Sequence, residues 1–178
     1  MKNGYCGVGV AFEASICGVR ILSGALTHAD EAAAVNYGYQ TTHIYSCSWG
    51  PRDDGRTLDG GPQIVREAFE HGIQYGRQGL GSIFVFAVGN GGSSGDNCNF
   101  DGYTNSPYTI TVSAMKNDQK HLSYSEECSA TMISMYTGSI YTTDTHMACT
   151  SSHGGTSAAA PLASGIFALI YQIRQYTY

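Results

Sequence analysis

Gly81-Ser82-Ile83-Phe84-Val85-Phe86-Ala87 runs straight into Val88-Gly89-Asn90-Gly91-Gly92, and this stretch decides the fold class. A short, unbroken apolar run between glycines keeps no side for water, which is the pattern of a central strand in a parallel sheet. Upstream, Pro62 suits the first position of a helix whose Ile64, Val65, Ala68, Phe69 and Ile73 share one apolar face. Before that helix, residues 43–48 read as a strand, followed by a polar, glycine-rich loop over 49–61. Further back, Thr27 caps an alanine-rich helix reaching about Tyr39, with Asp30 and Glu31 in the first turn where the helix dipole favours acids. Residues 15–22 read as the first strand. Downstream, a long polar loop over 89–107 leads to a strand at 109–113. Shorter strands at 132–136 and 140–143 are joined at Gly138, and a helix over 156–173 closes the chain. Alternating strands and helices predict an α/β fold with three layers, a doubly wound, mostly parallel sheet in one domain. Such sheets bind ligands beyond the carboxyl ends of their strands, so the loops after Ser48 and Ala87 should meet at one edge.

Bulk composition narrows the function classes. The 178 residues are 42% hydrophobic and 13% charged, enough apolar matter for a core and too little charge for disorder. A net charge of −5 argues against nucleic acid as a partner. Six cysteines without zinc spacing point to disulfides and an oxidising compartment, with the pairing left open by the spacing itself. Residues 1–11 lack the apolar segment of a signal peptide. The most apolar run, 158–171, is expected to be too short for a membrane span and is interrupted by Pro161 and Gly165.

Two places carry chemistry. In His153-Gly154-Gly155-Thr156-Ser157-Ala158-Ala159-Ala160-Pro161, a hydroxyl residue opens a small-residue helix. Helix caps are commonly Ser or Thr, yet the free N–H groups and dipole at such an end also favour developing negative charge. Asn90, directly after the central strand, is an amide donor placed to hold an oxyanion. Nucleophile plus donor is the outline of acyl transfer. The carboxylates Asp53, Asp54 and Asp59 follow Ser48-Trp49-Gly50-Pro51, and Asp96 and Asp101 bracket Asn-Cys-Asn-Phe, with Glu126 later. Acids on converging loops hold a hard cation or a cationic ligand.

Ser-Trp-Gly-Pro-x-Asp-Asp-Gly, Gly-Asn-Gly-Gly, Asp-Gly-Tyr-Thr-Asn-Ser and Gly-Thr-Ser-Ala-x-Ala-Pro, in that order, resemble the kexin/furin branch of the subtilisin-like serine proteases. The resemblance runs from about Asn3 to Ile173. It implies that Ser157 is the nucleophile and Asn90 the oxyanion donor. With Trp49 and Gly50, Asp53 and Asp101 match the pocket for a substrate arginine or lysine. Glu31, Asp59 and Tyr103 match positions that recognise a basic residue further upstream. Calcium ligands are implied at Asp53, Asp96 and Glu126, and part of a second site at Asn3 with the backbone oxygens of Tyr5 and Gly7. Disulfides Cys6–Cys149 and Cys98–Cys128 are implied too, leaving Cys17 and Cys47 extra.

The implied enzyme is a calcium-dependent endopeptidase of the secretory pathway, at the Golgi membrane or cell surface, cutting proproteins after Lys-Arg or Arg-Arg. Its partners are protein or peptide substrates, with membrane attachment only through regions outside this chain. Serine catalysis needs a base, normally a His oriented by an Asp. None of the six histidines has a motif for that role, so residues 1–178 are read as a partial catalytic domain, inactive alone. A non-catalytic secreted or surface relative is the alternative, and Asp and His motifs upstream of Met1 would separate the two. Arg52 and His28 stand where the family usually has acids, which weakens the negative field outside the pocket.

Overall fold

The computed structural model describes residues 4–175. Four parallel strands, β1 (Ile44–Cys47), β2 (Ile83–Ala87), β3 (Thr109–Met115) and β4 (Thr131–Tyr136), form one sheet in the order β1-β2-β3-β4. The apolar run of the opening stretch is an inner strand, with Phe86 beside Cys47 on one side and Thr111 on the other. Its side chains alternate between two cores. Phe84 and Phe86 join Val35, Tyr45, Val65 and Phe69 under α1 (His28–Val35) and α2 (Gln63–Gly79). Val85 faces the other way with Val112 and Ala114, against α3 (Thr156–Gln175). Ala159, Ala160 and Ala163 of α3 are fully buried there; methyl side chains let the helix backbone lie close over the sheet. A separate antiparallel hairpin, β5 (Ile140–Thr143) and β6 (Cys149–His153), delivers the chain to the start of α3.

Several expectations change. Residues 15–22 form no strand; a β-branched run becomes a strand only beside a strand edge, and here Ile16 and Leu22 point to solvent. The first helix has its Thr27 cap, reciprocated by Asp30 in a capping box, but ends at Val35 and continues as turns. Pro62 is the N-cap of α2 rather than its first residue. Ile64 and Ile73 are exposed, and Gly72 is buried against Phe84 in their place. The strands at 132–136 and 140–143 do not pair with each other: β4 extends the main sheet, and β5 pairs with the unforeseen β6. The apolar C-terminal segment is a longer helix than its most apolar core suggested. Thr156–Arg174 is long and apolar enough to cross a membrane, but it packs along all four parallel strands.

Cysteine connectivity is Cys6–Cys149 and Cys98–Cys128. Cys17 is exposed and Cys47 buried, and they do not pair. Burial alone pushes the Cys47 thiol up to about 12, so it stays protonated and packs as a small hydrophobe.

Candidate active site

The ends of β1 and β2 converge on the start of α3. Asn90 follows β2 by three residues, and Gly89 makes the turn at φ +107° with its α-carbon face pressed against the Glu126 carboxylate, a place where no side chain fits. The Asn90 side-chain oxygen accepts two hydrogen bonds, from the Thr156 backbone N–H at 3.0 Å and the Thr156 hydroxyl at 3.1 Å. With its oxygen anchored, the amide presents Nδ2 as its remaining donor. Asn90 itself is exposed. Gly155, at φ +77°, brings the chain past the Asn90 oxygen and directly into the helix. Ser157 is half-buried in the first turn of α3, one residue after the Thr156 that anchors Asn90. Its carbonyl accepts a 3.0 Å hydrogen bond from the Ser48 hydroxyl at the end of β1.

The acidic loops meet beside this edge. Asp53 accepts the Asn90 backbone N–H at 2.7 Å, and Glu126 accepts that of Gly91 at 3.0 Å. Asp96 accepts Gly55 N–H at 2.9 Å, and Asp101 accepts Tyr103 N–H at 2.7 Å. The 49–61 and 89–107 loops are thus stitched together through carboxylates. A bridge between Asp59 and Asp101 completes the seam. Asp53, Asp96, Asp101 and Glu126 line one small cavity of about 10 Å³, room for about one water-sized sphere. Burial pushes Glu126 up to about 7; the Gly91 N–H opposes this and the charges of Asp53, Asp96 and Asp101 add to it. Burial likewise pushes Asp101 up to about 6. The lining also includes Arg52 and Phe100, but its four carboxylates offer oxygen ligands to a hard cation, which would relieve their mutual repulsion. Among the described residues, however, no three such groups stand close enough to form a ready metal site. Tyr5 and Gly7 lie on a loop tied to β6 through Cys6–Cys149, with Gly7 against Tyr141. Asn3 lies outside the described residues.

A second acidic group forms along the same seam. Tyr103 donates to the Glu31 carboxylate at 3.2 Å, and both residues are buried. Burial raises the Glu31 pKa; the Tyr103 hydroxyl and His28 work against this and Asp59 adds to it. Trp49 packs edge-on to Phe86 and Tyr103 with ring centres 5.3 and 4.9 Å apart. Gly50 lies against Asp101, where an added Cβ would sit 3.0 Å from the carboxylate. The nine residues expected at the catalytic and substrate positions thus fall on one contiguous edge. None of the six histidines is hydrogen-bonded to Ser157 among the described residues. His71 meets Asn36, His121 meets the Ser125 carbonyl and His28 lies 3.9 Å from Glu31.

The subtilase family model matches residues 1–177. The chain belongs to the subtilase family. Within it, the chain is 55% identical over 176 residues to the dibasic-processing endoprotease of Schizosaccharomyces pombe, covering 97% of this chain and 25% of that protein. It is 52% identical to the kexin of Saccharomyces cerevisiae, covering 96% and 21%. It is 50% identical to proprotein convertase subtilisin/kexin type 7 of Homo sapiens, covering 97% and 23%. The kexin-type resemblance is thereby borne out, and the chain spans about a quarter of the length of these relatives. Among solved structures, a cold-adapted subtilisin-like serine proteinase matches at TM-score 0.73 and 22% identity, covering 92% of this chain and 56% of that one. The Aeromonas sobria serine protease in complex with its chaperone matches at 0.77 and 19%, covering 91% and 36%. These show that the fold is subtilisin-like.

Two residues of this subtilase edge escaped the sequence reading. Thr156 looked like a cap, yet its N–H and hydroxyl both fix Asn90. Ser48 looked like a strand end, yet its hydroxyl reaches the helix that bears Ser157. Both contacts span large sequence separations, and no local pattern encodes them.

Proposed function

We propose that this chain carries the nucleophile, oxyanion donor and specificity pocket of a serine endopeptidase that cuts proproteins after Lys-Arg or Arg-Arg in the secretory pathway. The anchored Asn90 amide is the observation that carries the reading. Its oxygen is taken up by Thr156, the residue before Ser157, which leaves the amide N–H to donate. In the proposed reaction, the Ser157 hydroxyl attacks the scissile carbonyl and its proton passes to a histidine contributed by polypeptide outside these residues. The carbonyl oxygen takes up the charge and accepts the Asn90 Nδ2–H. The C–N bond then breaks, the amine leaves with the proton, and water releases the acyl group from Ser157.

Selection of the basic residue before the cut falls to Asp53 and Asp101, since a guanidinium leaving water needs carboxylate partners. Trp49 and Gly50 form the wall and floor beside them. Glu31, Asp59 and Tyr103 serve a basic residue further upstream. Asp53, Asp96 and Glu126 are the groups to hold calcium, which when bound supplies positive charge that lets these neighbouring acids stay ionised. The Tyr5 and Gly7 carbonyls, with Asn3, belong to a second calcium site. Residues 1–178 are accordingly part of a catalytic domain. A panel of peptides differing only at the two residues before the cut, given to the whole protein, tests this reading. Cleavage confined to dibasic sequences supports it, and equal cleavage of neutral sequences refutes it.

A further inference from the structure

Pro161 lies inside α3, four residues after Ser157. Proline has no N–H, and its ring crowds the carbonyl four residues earlier. The helix therefore withholds from the Ser157 carbonyl the donor that every other residue of an interior turn receives. That same carbonyl receives the Ser48 hydroxyl at 3.0 Å, across a separation of 109 residues. On the other side of Ser157, the Thr156 N–H is held by Asn90. The peptide group after the serine and the Gly155–Thr156 peptide group one residue before it are thus both held from outside the helix, one from the end of β1 and one from the loop after β2.

We infer that Ser48 is a positioning residue for the reaction. Its hydroxyl replaces the backbone donor removed by Pro161 and so sets the orientation of the Ser157 peptide, and with it the direction of the Ser157 side chain toward the oxyanion donor. Ser48 acts through a backbone carbonyl and takes no part in proton transfer. The pairing of a helix-interior proline with an outside hydroxyl lets the helix start be adjusted by the sheet edge that also lines the substrate pocket. This inference rests on the reading of Ser157 as nucleophile.

The test uses the whole protein, with active sites counted by fluorophosphonate labelling so that misfolded molecules do not enter kcat. Ser48→Ala should lower kcat per labelled site roughly three- to tenfold, about one ordinary hydrogen bond's worth, with KM little changed. Adding Pro161→Ala to Ser48→Ala restores a helical N–H to the same carbonyl and should recover most of the loss. Ser48→Thr, which keeps the hydroxyl, should stay near the parent and covers the case in which Ser48→Ala fails to fold. An unchanged kcat in Ser48→Ala overturns the inference, as does a rise in KM alone. A double variant that is no better than Ser48→Ala overturns it too. Failure of the label to require Ser157 instead sinks the underlying reading of the nucleophile.

Discussion

At the level of single residues, the proposed function gives Asn90 and Asp101 different tasks. Replacing Asn90 by Ala removes the proposed donor to the oxyanion, and kcat should fall about two to three powers of ten, the cost known for the corresponding donor in subtilisin. KM should hardly move, because the amide acts on charge that develops only in the transition state. Steady-state kinetics on a dibasic peptide checks this, and an equal rise in KM would assign Asn90 to binding. Asp53 and Asp101 are not equivalent in the structure, although the sequence placed them alike. Asp53 also holds the Asn90 backbone, so its loss should damage turnover as well as selection. Asp101 instead holds the Tyr103 backbone and interacts with Thr104, away from the Asn90 turn. Asp101→Ala should therefore relax the preference for arginine before the cut while sparing kcat on small neutral substrates. A peptide-library profile still dominated by arginine would remove Asp101 from the pocket.

Elements position these residues, and their legibility in the sequence differed for physical reasons. The inner strand β2 was plain because an all-apolar run between glycines has few other fates. The capping box of α1 was half visible, since Thr27 stands at the start but the reply from Asp30 depends on side-chain reach. Strand β6 was not visible: Cys-Thr-Ser-Ser-His has no alternation of apolar and polar residues, and it is a strand only because β5 lies beside it. The run at 15–22 had the right composition and lacks a partner strand, so composition misled there. Of the site, Ser157, Asn90 and the acids were recognisable by residue type and order, whereas the Thr156 and Ser48 contacts arise only when distant strand ends meet. At this scale, Cys98–Cys128 clips the short 3-10 turn between Asp96 and Asp101 to the loop bearing Glu126. Replacing both cysteines by Ala should cost about 2–4 kcal/mol in stability. It should also loosen arginine selection more than it lowers kcat on neutral substrates. Denaturant unfolding and the same peptide profile read the two effects separately.

Across the whole molecule, the acidic seam couples stability to pH. Glu126 is raised from an ordinary carboxyl value to about 7 in the fold. A group raised on folding binds its proton more tightly in the native state. Its contribution is full below the ordinary carboxyl range and is lost as pH rises through about 7. Asp101, raised to about 6, acts in the same direction. Without added metal, thermal midpoints of the whole protein should fall as pH rises from about 5 to about 8. Calcium should oppose that fall, with more effect at the upper end, where the carboxylates are ionised. A midpoint that climbs with pH in the presence of chelator would contradict the picture of crowded, uncompensated acids. All of this organisation — sheet edge, anchored amide, acidic seam — converges on one hydroxyl. The most direct measurement is fluorophosphonate labelling of the whole protein, followed by mass-spectrometric mapping of the modified residue. The label should sit on Ser157, be blocked by a dibasic peptide and vanish together with peptide cleavage in Ser157→Ala; labelling elsewhere, or cleavage that survives that substitution, would contradict the account.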